Sequence, residues 1–136
     1  AQRALLRDRL SENPLDTVAQ VLAREELLTM QAAVRAVRTS DALLDYITRL
    51  TMASRAHAQL EVGVSPRGAL LLCQMAKARA YLLGRSFATS EDVQAVFEPV
   101  CTHRLILTAK ARLSGVSVTD IARELLQTVP NPDYAA

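Results

Sequence analysis

Apolar residues recur along this chain at the three- and four-residue spacing of helix faces, in segments bounded by recognisable caps. Residues 2–11 read as a short helix with Leu5, Leu6 and Leu10 on one side, broken by Asn13-Pro14. After a connector through Val18 and Val21, residues 24–35 place Leu27, Leu28, Met30, Ala33 and Val34 on an approximate stripe. Ser40-Asp41 opens a helix that runs to about His57, with Leu43, Leu44, Ile47, Leu50 and Met52 across a broad apolar face. A polar connector then leads to Gly63. The next helix spans Pro66 to Leu83 and begins with an unbroken apolar run from Ala69 to Cys73. Only Arg67, Gln74, Lys77 and Arg79 interrupt its apolar residues, so it is predicted to be central and largely surrounded. Gly84 stops it at the position after the cap.

Thr89-Ser90-Glu91-Asp92 resembles a capping box with an acidic first turn, starting a helix through Val93, Val96, Phe97 and Val100. Pro99 inside that pattern predicts a kink or an early end. Leu105-Ile106-Leu107 reads either as the helix tail or as an extended piece, and Ser114-Gly115 as a turn. Thr119 to Thr128 forms a last amphipathic helix with Ile121, Leu125 and Leu126. Pro130 and Pro132 end regular structure, and Tyr134 to Ala136 are expected to fray. The fold class is therefore all-α, a bundle of about five to six helices in one domain over residues 1–136.

One position breaks the local rules. In Gly63-Val64-Ser65-Pro66-Arg67, Ser65 is a good cap and Pro66 suits the first helical position. Arg67 then falls in the first turn, where the helix dipole disfavours a cation by about 0.3–1 kcal/mol at exposed sites. An anion placed there would meet both free N–H groups and a guanidinium, and phosphate is the natural candidate. The competing reading is a surface arginine paired with a nearby Asp or Glu.

Composition supports helix over strand. Half of the residues are hydrophobic, but only five are aromatic and none is Trp, so Ala and Leu supply the apolar mass. Net charge is only +2, and cations alternate with acids along the chain, which gives nucleic-acid binding little support. Cys73 and Cys101 sit in apolar contexts without CxxC spacing or a nearby His, and read as small buried hydrophobes rather than metal ligands. No apolar run is long enough for a membrane span and no signal peptide is visible, which points to the cytoplasm. A first residue of Ala rather than Met points to a piece of a longer protein.

Several landmarks sit in fixed order. They are Asp45-Tyr46-Ile47, Ser54-Arg55, Gly63-Val64-Ser65-Pro66-Arg67, Gly84-Arg85, Ser90-Glu91-Asp92-Val93, and Pro99-Val100 followed by His103-Arg104. This order resembles the C-terminal helical lid of MoxR-type AAA+ ATPases, the group related to the magnesium-chelatase ATPase subunit. The resemblance covers Pro14 to Leu107 well and the remainder to Pro130 more loosely. It implies that Ser65-Pro66-Arg67 is the second-sensor motif of an ATP site. On it, Arg67 acts in catalysis by reaching the γ-phosphate, while Ser65 and Pro66 shape the helix start. It also implies a ring-forming, chaperone-like ATPase in which the lid moves with nucleotide state. Its partners would be its own core, neighbouring subunits and a protein substrate.

The chain lacks the GxxxxGK[ST] loop and any α/β alternation, so ATP and Mg²⁺ would be held mainly by a core domain outside it. The chain alone is expected not to be an enzyme. Ser54 where Thr is usual, and Gly68 after Arg67, read as tolerable departures. Elsewhere, His103-Arg104 reads as a packing or capping pair, with ligand contact as the alternative, and His57 as an exposed helix-end residue. Arg49 and Arg55 read as surface pairs, with contact to nucleotide or the core domain as the alternative, and Asp120 and Glu124 as a solvated face beside Arg123. The alternative function is a helical nucleic-acid-binding or transcription-associated module, with a helical protein adaptor as a third option.

Overall fold

A computed structural model describes residue 3 and residues 17–132. Apart from Arg3, the predicted helix over 2–11 lies outside the described residues, as does the tail 134–136. Those residues carry six α-helices and one small antiparallel ribbon. The helices are α1 (Arg24–Ala36), α2 (Asp41–Ala56), α3 (Pro66–Leu82), α4 (Ser90–Cys101), α5 (Ala109–Leu113) and α6 (Val118–Thr128). Strands β1 (Leu60–Val62) and β2 (Ile106–Leu107) form the ribbon, and a 3₁₀ turn over Thr102–Arg104 follows α4. The described residues up to Gln31 form one compact unit and those from Ala32 onward a second.

The sequence-predicted helices form because their caps work. Ser40 accepts the Leu43 N–H at 3.2 Å, and Ser65 accepts the Gly68 N–H at 3.1 Å. At the end of α3, Gly84 takes φ +74°, where a side chain would clash with its own backbone. The Gly84 N–H reaches the Tyr81 carbonyl and the Arg85 N–H the Ala80 carbonyl, both at 2.9 Å, closing a Schellman motif. Pro99 lies inside α4, which ends at Cys101 and tightens into the 3₁₀ turn.

The core of the larger unit lies among α2, α3, α4 and α6. Tyr46 and Leu50, Leu72 and Ala76, Val93 and Phe97, and Ile121 and Leu125 are all essentially removed from solvent. α3 departs from the expectation of a surrounded helix. Gly68, Leu72, Ala76 and Ala80 are buried, a single stripe at four-residue spacing. Leu70 and Leu82 on other faces are 66% and 74% exposed. The apolar run from Ala69 to Cys73 therefore describes composition rather than burial. α1 buries none of its residues, and Leu27 and Leu28 of its predicted stripe are exposed.

The ribbon and α5 are the elements that periodicity did not reveal. Leu60 pairs with Leu107 and Val62 with Ile106, with an irregularity between, and the Thr108 N–H adds a bond to the Gln59 carbonyl at 2.9 Å. Leu105-Ile106-Leu107 is thus extended. No helix among the described residues is long and apolar enough to cross a membrane.

Candidate functional site at the start of α3

The segment from Gly63 to Arg67 connects β1 to α3. Ser65 is extended (φ −71°, ψ 163°), as the residue before a proline prefers, and Pro66 opens the helix. Arg67 follows at the second helical position, exposed. Its N–H is one of those that lack an upstream carbonyl at any helix start. The first turn of α3 contains no acid, and Arg67 takes part in none of the ion pairs among the described residues. The surface pair with Asp or Glu is not found among the described residues.

Behind this turn the backbone is held by the last turn of α2. Ser54 is fully buried; its hydroxyl donates to the Thr51 carbonyl at 2.7 Å and accepts the Val64 N–H at 2.9 Å. Arg55 donates its Nε to the Val64 carbonyl at 2.7 Å. The surface ion pair expected of Arg55 is therefore replaced by a bond to backbone, because the chain brings Val64 back within reach of the guanidinium. Gly63 makes this approach possible: a Cβ there would lie 2.5 Å from the Arg55 nitrogen and 2.6 Å from the Ser54 carbonyl carbon. Two separate landmarks in sequence, Ser54-Arg55 and Gly63 to Arg67, are one structure.

Gly68 also has a stricter role than tolerance. A Cβ on it would stand 2.7 Å from Val64 Cγ1 and 3.6 Å from Arg104 Cδ. The stem of Arg104 therefore crosses the first turn of α3, while its Nε donates to the Val100 carbonyl at 3.1 Å. That bond satisfies a carbonyl at the end of α4, the capping role expected of His103-Arg104.

The main electrostatic centre lies elsewhere. Asp92, third in α4, is fully buried and accepts from Arg79 Nη1 at 2.5 Å. It also accepts from Arg85 at 2.6 and 2.8 Å, and from the Thr89 N–H at 2.9 Å. Burial pushes its pKa up, but the bonds from Arg85, Thr89 and Arg79 and the charge of Arg85 outweigh that and hold it at about 2. This hub joins α3, its C-terminal turn and α4, and is structural. The sequence marked Asp92 as a cap without pairing it to Arg79 or Arg85, because nothing local signals a partner on another element.

The remaining candidates resolve as structure too. His57 is mostly covered and lies 3.6 Å from Glu124, so it links the end of α2 to α6 instead of standing free at a helix end. Arg123 lies between Asp120 at 3.4 Å and Glu98 at 3.8 Å on an open face, as the solvated-face reading expects. Burial raises the pKa of Cys73 and lifts that of Cys101 to about 12, which leaves neither a ready thiolate. No cluster of three metal-ligating side chains occurs among the described residues. An open cavity of about 450 Å³ lies among Arg38, Ser40, Leu43, Phe87 and Thr89. Its lining comes mainly from the segments that lead into α2 and α4 and includes neither Arg67 nor any other residue of α3.

Residues 52–125 match the family model described as the AAA lid domain. The chain is 32% identical to the YeaC protein of Bacillus subtilis, an alignment covering 88% of this chain and 38% of that protein. It is also 32% identical to the chaperone MoxR1 of Mycobacterium tuberculosis, over 86% of this chain and 33% of that one. The chain thus spans 33–38% of the length of these relatives. A crystal structure of a "putative ATPase" from Cytophaga hutchinsonii superposes with a TM-score of 0.78 at 26% identity, over 96% of this chain and 42% of that one.

Proposed function

Because the chain belongs to the AAA lid domain family, in its MoxR-type branch, we propose that it serves as the helical lid of a larger ATPase and supplies Arg67 to the bound nucleotide. The observation that carries this reading is the state of Arg67. It is an exposed guanidinium at a helix start, without an acid in its turn or an ion pair among the described residues. A cation in that place is unfavourable alone and favourable once an anion arrives.

In this reading Arg67 is the second-sensor arginine that reaches the γ-phosphate, and Ser65 and Pro66 fix the start of the helix that carries it. The core domain would hold most of ATP and the Mg²⁺, since the chain has no phosphate-cradling loop of its own. The γ-phosphate contact stabilises charge during transfer, and its loss on hydrolysis frees the lid to rotate against the core. Neighbouring subunits of a ring and a protein substrate complete the set of partners.

The test is Arg67→Ala in the chain joined to its ATPase core, read by melting temperature without nucleotide and by steady-state turnover. Melting should be unchanged, because the side chain contributes no ion pair and its removal relieves the dipole conflict. Turnover should fall by up to about 10³–10⁵-fold, the range for arginines that stabilise phosphoryl-transfer charge. Arg67→Lys should rescue poorly, because an ammonium lacks the planar two-pronged donor set. Early melting would make Arg67 structural; parent-level turnover would end the second-sensor assignment.

A further inference from the structure

We infer that Arg55 is the positioning residue for Arg67: by gripping the Val64 carbonyl from the last turn of α2, it sets the direction in which the first turn of α3 presents its guanidinium. The inference rests on the reading of Arg67 given above and extends it to a residue that touches no nucleotide.

The argument begins with which torsions are free. Pro66 has a fixed φ, and Ser65, preceding it, is held extended. From Pro66 onward the backbone is helical. The remaining freedom between β1 and α3 therefore lies around Gly63 and Val64. That is where both halves of the Val64 peptide neighbourhood are held, its N–H by Ser54 and its carbonyl by Arg55. The Val64 side chain is itself fully buried, so the grip is anchored in the core.

Core packing does not do this work alone. α3 is fixed along its middle by Leu72, Ala76 and Ala80, whereas in its first turn Ser65, Pro66 and Arg67 are exposed and only Gly68 is buried. The aim of that turn depends on what holds its upstream end. Ser54 is committed to the interior, with Thr51 on one side and Val64 on the other. Arg55 is exposed and, among the described residues, belongs to no ion pair, so the bond to the Val64 carbonyl is what directs its guanidinium there. A guanidinium spent on a carbonyl beside the functional turn is the signature of a brace. The consequence is mechanical: a displacement of the α2 C-terminus is carried to Arg67 through the three peptide units that follow Val64.

Two measurements test it. In the chain itself, Arg55→Ala should shift the Val64 carbonyl-carbon and Ser65 amide resonances, because the lost bond is to the oxygen of the peptide they share, while the Val64 N–H stays held by Ser54. Amides around Leu72 and Phe97 should stay as in the parent. In the chain joined to its core, Arg55→Ala should lower kcat by roughly 10–10²-fold, the effect of a misplacement near 1 Å, with KM little changed. Arg55→Lys, which can still donate to the carbonyl, should recover most of the rate.

The decisive comparison is the double variant. If Arg55 acts through Arg67, then Arg55→Ala combined with Arg67→Ala should turn over no more slowly than Arg67→Ala alone. Additive losses, or parent-level turnover in Arg55→Ala, overturn the positioning role. If Arg67→Ala leaves turnover untouched, the second-sensor reading is what fails. The carbonyl resonance then judges the brace by itself, and an unchanged Val64 carbonyl shift in Arg55→Ala refutes it.

Discussion

Replacing Asp92 by asparagine removes the single charge on which Arg79, Arg85 and the start of α4 converge. The shape stays, and one oxygen remains to accept the Thr89 N–H, so the loss is mainly electrostatic. Its size follows from the carboxylate itself. Against the pull of burial, its partners lower the pKa from 3.8 to about 2. Each pH unit of such a shift corresponds to about 1.4 kcal/mol between the protonation states, so the charge contributes about 2 kcal/mol at neutral pH. Arg79 and Arg85 are 37% and 27% exposed and regain water when the charge is gone. The loss should therefore stay below the ~3–5 kcal/mol of breaking a fully enclosed pair.

The sign is fixed by the direction of the shift. A carboxylate with a lowered folded pKa stabilises fully above its unfolded value near 4 and loses that contribution as pH falls through about 2. Urea unfolding of parent and Asp92→Asn should differ by about 2 kcal/mol at pH 7 and converge between about pH 4 and 2. A difference at pH 7 below about 0.5 kcal/mol, or one that persists undiminished at pH 2, would refute the reasoning.

Three further outcomes are expected. Gly63→Ala should cost about 1–3 kcal/mol in urea unfolding, because its Cβ meets backbone of α2 rather than a side chain that can move aside. Gly84→Ala should cost about 1–2 kcal/mol, since φ +74° is strained for any residue with a Cβ although the space around it is open; an unchanged urea midpoint would contradict the Schellman geometry. The chain without its core should self-associate at high concentration through exposed Leu70, Met75 and Leu82, and light scattering that shows a strict monomer would count against it.

The legible parts of this fold were those specified locally. Ser40, Ser65 and Gly84 each mark a helix boundary through a bond or a torsion within a few residues of themselves, and the structure places the boundaries there. Arg67 was legible for the same reason, since a cation in a first turn is anomalous without reference to anything distant. What escaped depends on chain segments meeting. The ribbon strands are three and two residues long, too short for an alternating pattern, and each exists because the other lies beside it. Arg55 and His57 looked like surface residues because their partners, Val64 and Glu124, come from other elements. The burial of α3 was misjudged because an apolar helix with one covered face and an apolar helix with several read alike in sequence.

The ribbon has a consequence for the order of folding. Leu60 and Leu107 pair across a stretch that contains all of α3 and α4. A two-stranded ribbon of this length has no stability of its own, and joining its distant ends carries a closure entropy that its few bonds do not offset. The α3–α4 hairpin, with Leu72, Ala76, Val93 and Phe97 already packed, must bring those ends together first. The chain from Gly63 to Leu105 is therefore a cassette that leaves and returns through one doorway, and Arg67 stands at its threshold. The latch behind it closes last on folding and opens first on unfolding.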